Sequence, residues 1–492
     1  MKKVEILGWS IFSLALCTIV LLANFSVLPT FLYDEKRIFQ ALLLVSTSLL
    51  FVGFIFKYKV AGVGNTVVLL SVGVLFLLCL SSIRAPLPQW AFLQAGWYVL
   101  LVQFTFIGAY LYRQNKQRYI KWVIGALFLL AGIYVAHVLA NTFSGFLQEG
   151  WPAWPNTANL SIMVDGEQII PQGFLGFSNK RFLNHLQTWS LPLLVLGVLY
   201  YKDKLIPGLR YIMLGIISGW WMLVFASDAR GTVVASAVSL IVIGYLYRGK
   251  AKEFIVTTLG VAAIGLAAYY LLFLLPGQGA QEIAIRTDSS GRIAAWIYTL
   301  KLIAAHPFFG LGPMHYSHIS VGVNQAHPHN FMLQTIAEWG IPAVILLAVL
   351  SFKGYFKFIK IKINHSIKKY FPVQVALVAS LTAGIAHSMV SGIFNTPLSQ
   401  LMACIILGWA VGHYFEHSKK QLFTQRKKIS WPVWVVGFFL IVNTIFVAQK
   451  VAGDVSTLDK RNEHYIEQQR EQENGKIHLS PRFWQQGKIG VE

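Results

Sequence analysis

Gly62-Val-Gly-Asn-Thr-Val-Val-Leu-Leu-Ser-Val-Gly-Val-Leu-Phe-Leu-Leu-Cys-Leu-Ser-Ser-Ile83 contains no charged residue. At 1.5 Å of rise per residue, such a run crosses the roughly 30 Å hydrocarbon core of a bilayer as a helix. Comparable runs fall near 5–28, 39–56, 90–112, 121–140, 186–201, 211–227, 231–247, 255–275, 330–352, 372–394, 397–415 and 431–449. Of the 492 residues, 55% are hydrophobic and 12% charged, and the mean hydropathy is +0.57. A soluble chain of that balance would aggregate. A β-barrel would show short alternating segments instead. The fold class is therefore all-α and polytopic, with about 12–13 transmembrane helices. The first run is too long for a signal-peptide core and lacks a small-residue cleavage site. It reads as a first membrane helix with its N-terminus in the cytoplasm. Cys17, Cys79 and Cys404 lie inside apolar runs, which leaves no disulfide framework and no paired-cysteine metal motif.

The net charge of +21 raises the question of a nucleic-acid partner, and its distribution answers no. Basic residues concentrate in Lys2-Lys3, Lys57 and Lys59, Arg113 to Lys121, Lys202 to Arg210, Arg248 to Lys252, Lys353 to Lys369, and Lys419 to Lys428. These segments hold 25 of the 41 Lys and Arg and occupy alternate connections between spans. The positive-inside rule assigns them to the cytoplasm, where they also meet anionic membrane lipids.

The chain then divides into N-terminal transmembrane helices over 1–140, an outward loop over 141–185, and central transmembrane helices over 186–275. A large outward loop covers 276–329, C-terminal transmembrane helices cover 330–449, and an outward tail covers 450–492. Long loops usually carry function. Within the second, Gly291 to Ala305 is apolar but too short to span, and reads as an interfacial helix. Ser480-Pro-Arg-Phe-Trp484 has the look of a small docking element.

Four clusters of polar residues fall on the outward side. They are Phe177-Ser-Asn-Lys-Arg-Phe-Leu-Asn-His185, Ser227-Asp-Ala-Arg-Gly-Thr232, Arg286-Thr-Asp-Ser-Ser-Gly-Arg292 and His327-Pro-His-Asn330. Arg181, Arg230 and Arg292 thus share one membrane face, against the charge bias. Taken singly, each is an interfacial anchor or a paired charge, with Asp228 and Asp288 as available partners. Taken together with a histidine pair, they suit an anion, because guanidinium groups match phosphate oxygens.

His329 read alone is a residue beside a helix start, with Pro328 and Asn330 around it. It lacks the acidic or thiol neighbours of a metal site, and His327 at i,i+2 does not share a helix face with it. Glu338 lies about 13 Å further along the same helix and pairs inside the bundle. With the arginines, His329 fits a general base that takes a proton from an acceptor hydroxyl while the arginines stabilise a departing diphosphate.

The pattern Arg292, His306-Pro-Phe-Phe-Gly-Leu-Gly312, His329-Asn330 and Glu338-Trp-Gly340, with the Ser227-Asp-Ala-Arg-Gly231 turn, resembles the O-antigen ligase and polymerase superfamily over about residues 170–415. The resemblance implies a metal-independent, cofactor-free glycosyltransferase of GT-C type in the bacterial inner membrane, its site facing the periplasm. The donor would be a glycan on undecaprenyl diphosphate. His329 would be catalytic and Arg181, Arg230 and Arg292 would bind the diphosphate, supported by Lys180, His327, Asn330 and Asp228. Loop 276–329 would be the catalytic loop. One departure is Ala343, where ligases carry a second glycine. Three acceptors occur in the superfamily: the lipid A core (ligase), a protein Ser or Thr such as in pilin (oligosaccharyltransferase), and another glycan repeat (polymerase). The outward tail after a thirteenth helix favours the protein acceptor. Competing classes are a transporter of a lipid-linked anion, which calls for charges along a path through the bundle, and a scaffold, which leaves the arginines and His329 dispensable.

Overall fold

The computed structural model describes residues 2–28, 30–149, 162–164, 167–169, 176–274, 291–319, 325–361, 370–418, 421–464, 481–487 and 489. The helices are α1 (Lys2–Asn24), α2 (Leu32–Lys57), α3 (Asn65–Arg84), α4 (Pro88–Gln114), α5 (Lys116–Glu149), α6 (Lys180–Tyr201), α7 (Pro207–Ala226) and α8 (Arg230–Tyr247). They continue with α9 (Lys252–Tyr269), α10 (Arg292–Ala305), α11 (Tyr316–Ile319), α12 (Phe331–Trp339), α13 (Ile341–Ile359), α14 (Phe371–Ser388), α15 (Pro397–His417) and α16 (Trp431–Ser456). Four three-residue strands pair antiparallel: β1 (Tyr58–Val60) with β4 (Phe423–Gln425), and β2 (Ile162–Val164) with β3 (Glu167–Ile169). The protein is an all-α polytopic membrane protein.

Among the described residues, twelve helical segments are long and apolar enough to cross a bilayer, one of them 44 residues long. That segment breaks at a 3₁₀ turn over Arg248–Ala251, where Arg248 takes φ +49°, so it folds as α8 and α9. Gly265 of α9 lies against Ser218 and Met222 of α7, and the two helices run in the same direction. Proline sits in the first turn of α4, α7, α13, α14, α15 and α16, where its missing N–H costs nothing.

At the centre stands α6, with Leu183 through Leu199 buried. It is flanked by α14, whose Gly384 leaves a notch filled by the indole of Trp189. Gly108 of α4 faces Gly408 of α15, a small-residue crossing that lets the two backbones approach. The outer helices α3, α8, α9, α13 and α16 instead expose large apolar residues, among them Leu69, Ile241, Ile264, Phe352 and Phe438. With lipid as solvent, that is the expected outward face.

One end of the bundle gathers the basic connections. Here β1 pairs with β4, Arg113 and Lys116 bind Glu416, and Arg426 donates to the carbonyls of Ile55 and Tyr58. The opposite end carries the starts of α2, α6, α8, α12 and α15.

The run 330–352 reads in sequence as one helix. In the structure it is two, because Gly340 takes φ +83° and ψ 162°. The ends freed by this break bond to the turn His306–Gly312. Leu311 N–H donates to Ala337 O at 2.8 Å, Gly312 N–H to Glu338 O at 2.9 Å, and Ile341 N–H to Pro307 O at 2.8 Å. The turn thus supplies partners that the interrupted helix cannot. It also fills the space beside Gly340, where an added Cβ would stand 2.2 Å from Phe308 O. Gly340→Ala should therefore lose about 1–3 kcal/mol from backbone strain alone. Its thermal unfolding in detergent should fall clearly below wild type, while Gly354→Ala, at an open position on α13, should not. Equal melting of the two variants would contradict this account of the break.

Candidate functional site

At the end opposite the basic connections, the three sequence-predicted arginines occupy equivalent local positions. Arg181 is the second residue of α6, Arg230 the first of α8 and Arg292 the first of α10. A helix start has unpaired N–H groups and the positive end of the dipole, so a cation there is locally unfavourable. The same combination of N–H groups and guanidinium is a favourable seat for an anion. Sequence reasoning placed Lys180 and Arg181 in a loop before a helix starting near 186. The structure starts α6 at Lys180, with Asn179 as its cap accepting Arg181 N–H at 2.9 Å.

The histidine pair lies on the turn before α12. The rings of His327 and His329 are 4.3 Å apart. His329 N–H donates to His327 Nδ1 at 3.2 Å, so a neutral His327 carries its proton on Nε2. His329 takes φ +53°, a region sparsely populated by non-glycine residues. Asn330 fixes the start of α12 twice. Its Oδ1 accepts Leu333 N–H at 3.0 Å, and its Nδ2 donates to Met389 O at 3.0 Å. Helix α10 clamps the turn from the other side, through Trp296 Nε1–H donating to Pro328 O at 2.8 Å.

Burial, followed by the guanidinium groups of Arg292 and Arg181, pushes the His329 imidazole down to about 3. Burial holds His327 well below the ordinary histidine range, with His329 and Arg482 adding to the effect. Both rings are neutral at pH 7. The Nδ1 of His329 is buried and has no hydrogen-bonding partner among the described residues. The electrostatic reach of Arg181 and Arg292 places those two arginines with His329.

Arg230 stands at the rim. Its side chain is about half exposed, with Nε 3.7 Å from Asp228 Oδ1. Its neighbour Gly231 lies directly on the His387 ring, and His387 is within electrostatic reach of Arg292. Asp228 occupies the tight turn at φ +52°, a conformation that Asp tolerates. Asp288 lies outside the described residues.

Sequence reasoning did not find the hydroxyl partners of His185 on α6 and His387 on α14. His185 Nε2 meets Ser391 Oγ at 2.7 Å and His185 Nδ1 meets Thr396 Oγ1 at 3.2 Å. His387 Nδ1 meets Thr188 Oγ1 at 2.7 Å, and Thr188 meets Thr232 at 3.0 Å. The signal was imidazoles within otherwise apolar spans, which are costly in lipid without partners. Among the described residues, no group of three or more His, Cys, Asp or Glu gathers as metal ligands do.

The arrangement can seat an anion against guanidinium groups and helix starts, and can accept a proton from a hydroxyl at His329. No curated protein matches the chain. A family model described as O-antigen ligase matches residues 212–348, a stretch that contains Asp228, Arg230, Arg292, His327, His329 and Asn330. Over that stretch, which runs from α7 to α13 and includes the histidine turn, the chain is similar to the O-antigen ligase family.

Proposed function

We propose that the protein transfers a pre-assembled glycan from undecaprenyl diphosphate to an acceptor hydroxyl at the periplasmic face of the bacterial inner membrane. The observation that carries this reading is the set of arginines at helix starts, two of them, Arg181 and Arg292, within electrostatic reach of a neutral His329. The acceptor oxygen attacks the anomeric carbon of the first sugar, and the bond from that carbon to the diphosphate oxygen breaks. The acceptor proton passes to His329. Arg181, Arg230 and Arg292 hold the leaving diphosphate, with Lys180 beside them and Asp228 orienting Arg230. His327 and Asn330 hold the turn that presents His329. Neither metal nor cofactor forms part of this scheme, because the fixed cations sit where negative charge develops.

The acceptor we favour is a protein Ser or Thr, pilin-like, because the polar tail follows a thirteenth crossing. The O-antigen ligase description of the matched segment supports a second reading, transfer to the lipid A core. Deleting the gene and blotting both pilin and lipopolysaccharide separates the two, and loss of chain-length distribution alone would mark a polymerase.

His329→Ala should abolish transfer in cells while the protein still inserts. Arg292→Lys and Arg230→Lys should each lower transfer by roughly a hundredfold, since a point charge loses the planar fork. Normal transfer by His329→Ala would return the transporter and scaffold classes to first place. A reporter fused at Glu492 should be active only outside the cytoplasm.

The pH dependence has a definite sign. A base must be neutral to act, so activity is kept above its pKa and lost as pH falls through it. In the free protein that point lies near 3. Bound diphosphate offsets Arg292 and Arg181 and thereby raises the His329 pKa. The acid limb of kcat should therefore fall at higher pH than that of kcat/KM. The reverse order would rule out His329 as the base.

A further inference from the structure

The C-terminal segment Pro481–Gly487 returns to the end of the bundle that carries the histidine turn, and is buried there. Arg482, Phe483 and Trp484 are each no more than 5% exposed. Its backbone is held by α2: Tyr33 donates to Arg482 O at 2.7 Å, Arg37 donates to Phe483 O at 3.0 Å, and Gln485 N–H donates to Asp34 at 2.6 Å. Trp484 Nε1–H donates to Asp454 at the end of α16. A polar tail ordinarily stays in water, so this burial calls for a reason.

The Arg482 side chain supplies one. Its Nη2 donates to both carboxylate oxygens of Glu338, at 2.8 and 2.7 Å. Its Nη1 donates to Asn395 Oδ1 at 3.1 Å. Each partner leads to the histidine turn. Glu338 lies on α12, whose cap residue Asn330 directly follows His329. Asn395 donates to Gln334 of the same helix at 3.3 Å. Asn395 also closes a turn on Gly392, and Gly392 has no side chain because the His327 ring lies against it. Ser391 and Thr396, on either side of this turn, hold His185. The guanidinium therefore ties together the two segments that enclose His327 and His329 without touching either ring.

We propose that the C-terminal segment is a built-in strap and that Arg482 is a positioning residue for the histidine turn, acting through Glu338 and Asn395. The catalytic consequence rests on the reading of His329 as general base; the positioning itself does not.

Arg482→Ala alone would leave Glu338 buried without its counter-charge, and misfolding would be uninformative. The test is the double variant Arg482→Met with Glu338→Met, since replacing a buried ion pair by apolar residues is often neutral for folding. In detergent it should unfold cooperatively near the wild-type temperature. Diethylpyrocarbonate labelling, read by mass spectrometry on the peptide bearing His327 and His329, should rise severalfold relative to exposed His306. In glycan transfer, kcat should fall about a hundredfold, as for a base displaced by an ångström, with KM nearly unchanged. Wild-type labelling and kcat in the folded double variant would overturn the proposal. If the double variant does not fold, Arg482→Lys takes its place, keeping the charge beside Glu338 and losing the fork to Asn395; wild-type labelling there overturns it equally. Because labelling does not depend on transfer, an active His329→Ala protein would sink the general-base reading and leave the positioning result standing.

Discussion

A polar group inside a bilayer has no water to turn to, so every one that enters must meet a partner supplied by the protein. This constraint shapes the bundle at three places. Where α12 and α13 part at Gly340, the His306–Gly312 turn satisfies the freed backbone groups. Where imidazoles enter α6 and α14, hydroxyls of Ser391, Thr396 and Thr188 meet them. Where Glu338 is buried, Arg482 arrives from the far end of the chain to neutralise it. The apolar runs supply the scaffold, and these polar contacts decide its internal geometry.

The same rule gives meaning to the site. Arg181, Arg230 and Arg292 sit at helix starts, where fixed partial positive charge already exists. Cations are usually found at the other end of a helix. Arginines at three helix starts at one end of one bundle place positive charge there, which supports the proposed seat for a diphosphate. Beside it, burial keeps His329 unprotonated. An imidazole in that state accepts a proton, and a cation in that place stabilises a leaving anion. The two properties together support the proposed transfer better than either does alone.

The tail adds a long-range link to this picture. Glu338, Asn395 and Arg482, the first and last of them 144 positions apart, meet in one buried cluster. Arg37 of α2 reinforces it by donating to Asn395 O, Phe483 O and Gln400. Such contacts are strong because they form between desolvated groups, and loss of one member leaves its partners unpaired in that low dielectric. The histidine turn thereby inherits its order from the first and last thirds of the protein.

The amino-acid sequence by itself determined the class of solvent, the number and rough limits of the spans, and the alternation of basic connections. Hydropathy and charge bias are sums over neighbouring residues, so a linear reading captures them. It also led to the expectation of Arg181, Arg230, Arg292 and the histidines on one face, and the docking look of Ser480 to Trp484 was visible in its aromatic and basic content. What the sequence left open was settled by contacts between distant segments. The break at Gly340 depends on Phe308 filling the space beside it. The placement of Arg181 in a first helical turn depends on Asn179 capping α6. The partner of Glu338 lies 144 positions away, and the polar shell of His185 and His387 joins α6, α8 and α14. No local rule of spacing encodes such pairings, because they follow from which helices lie side by side, and packing across the whole bundle decides that.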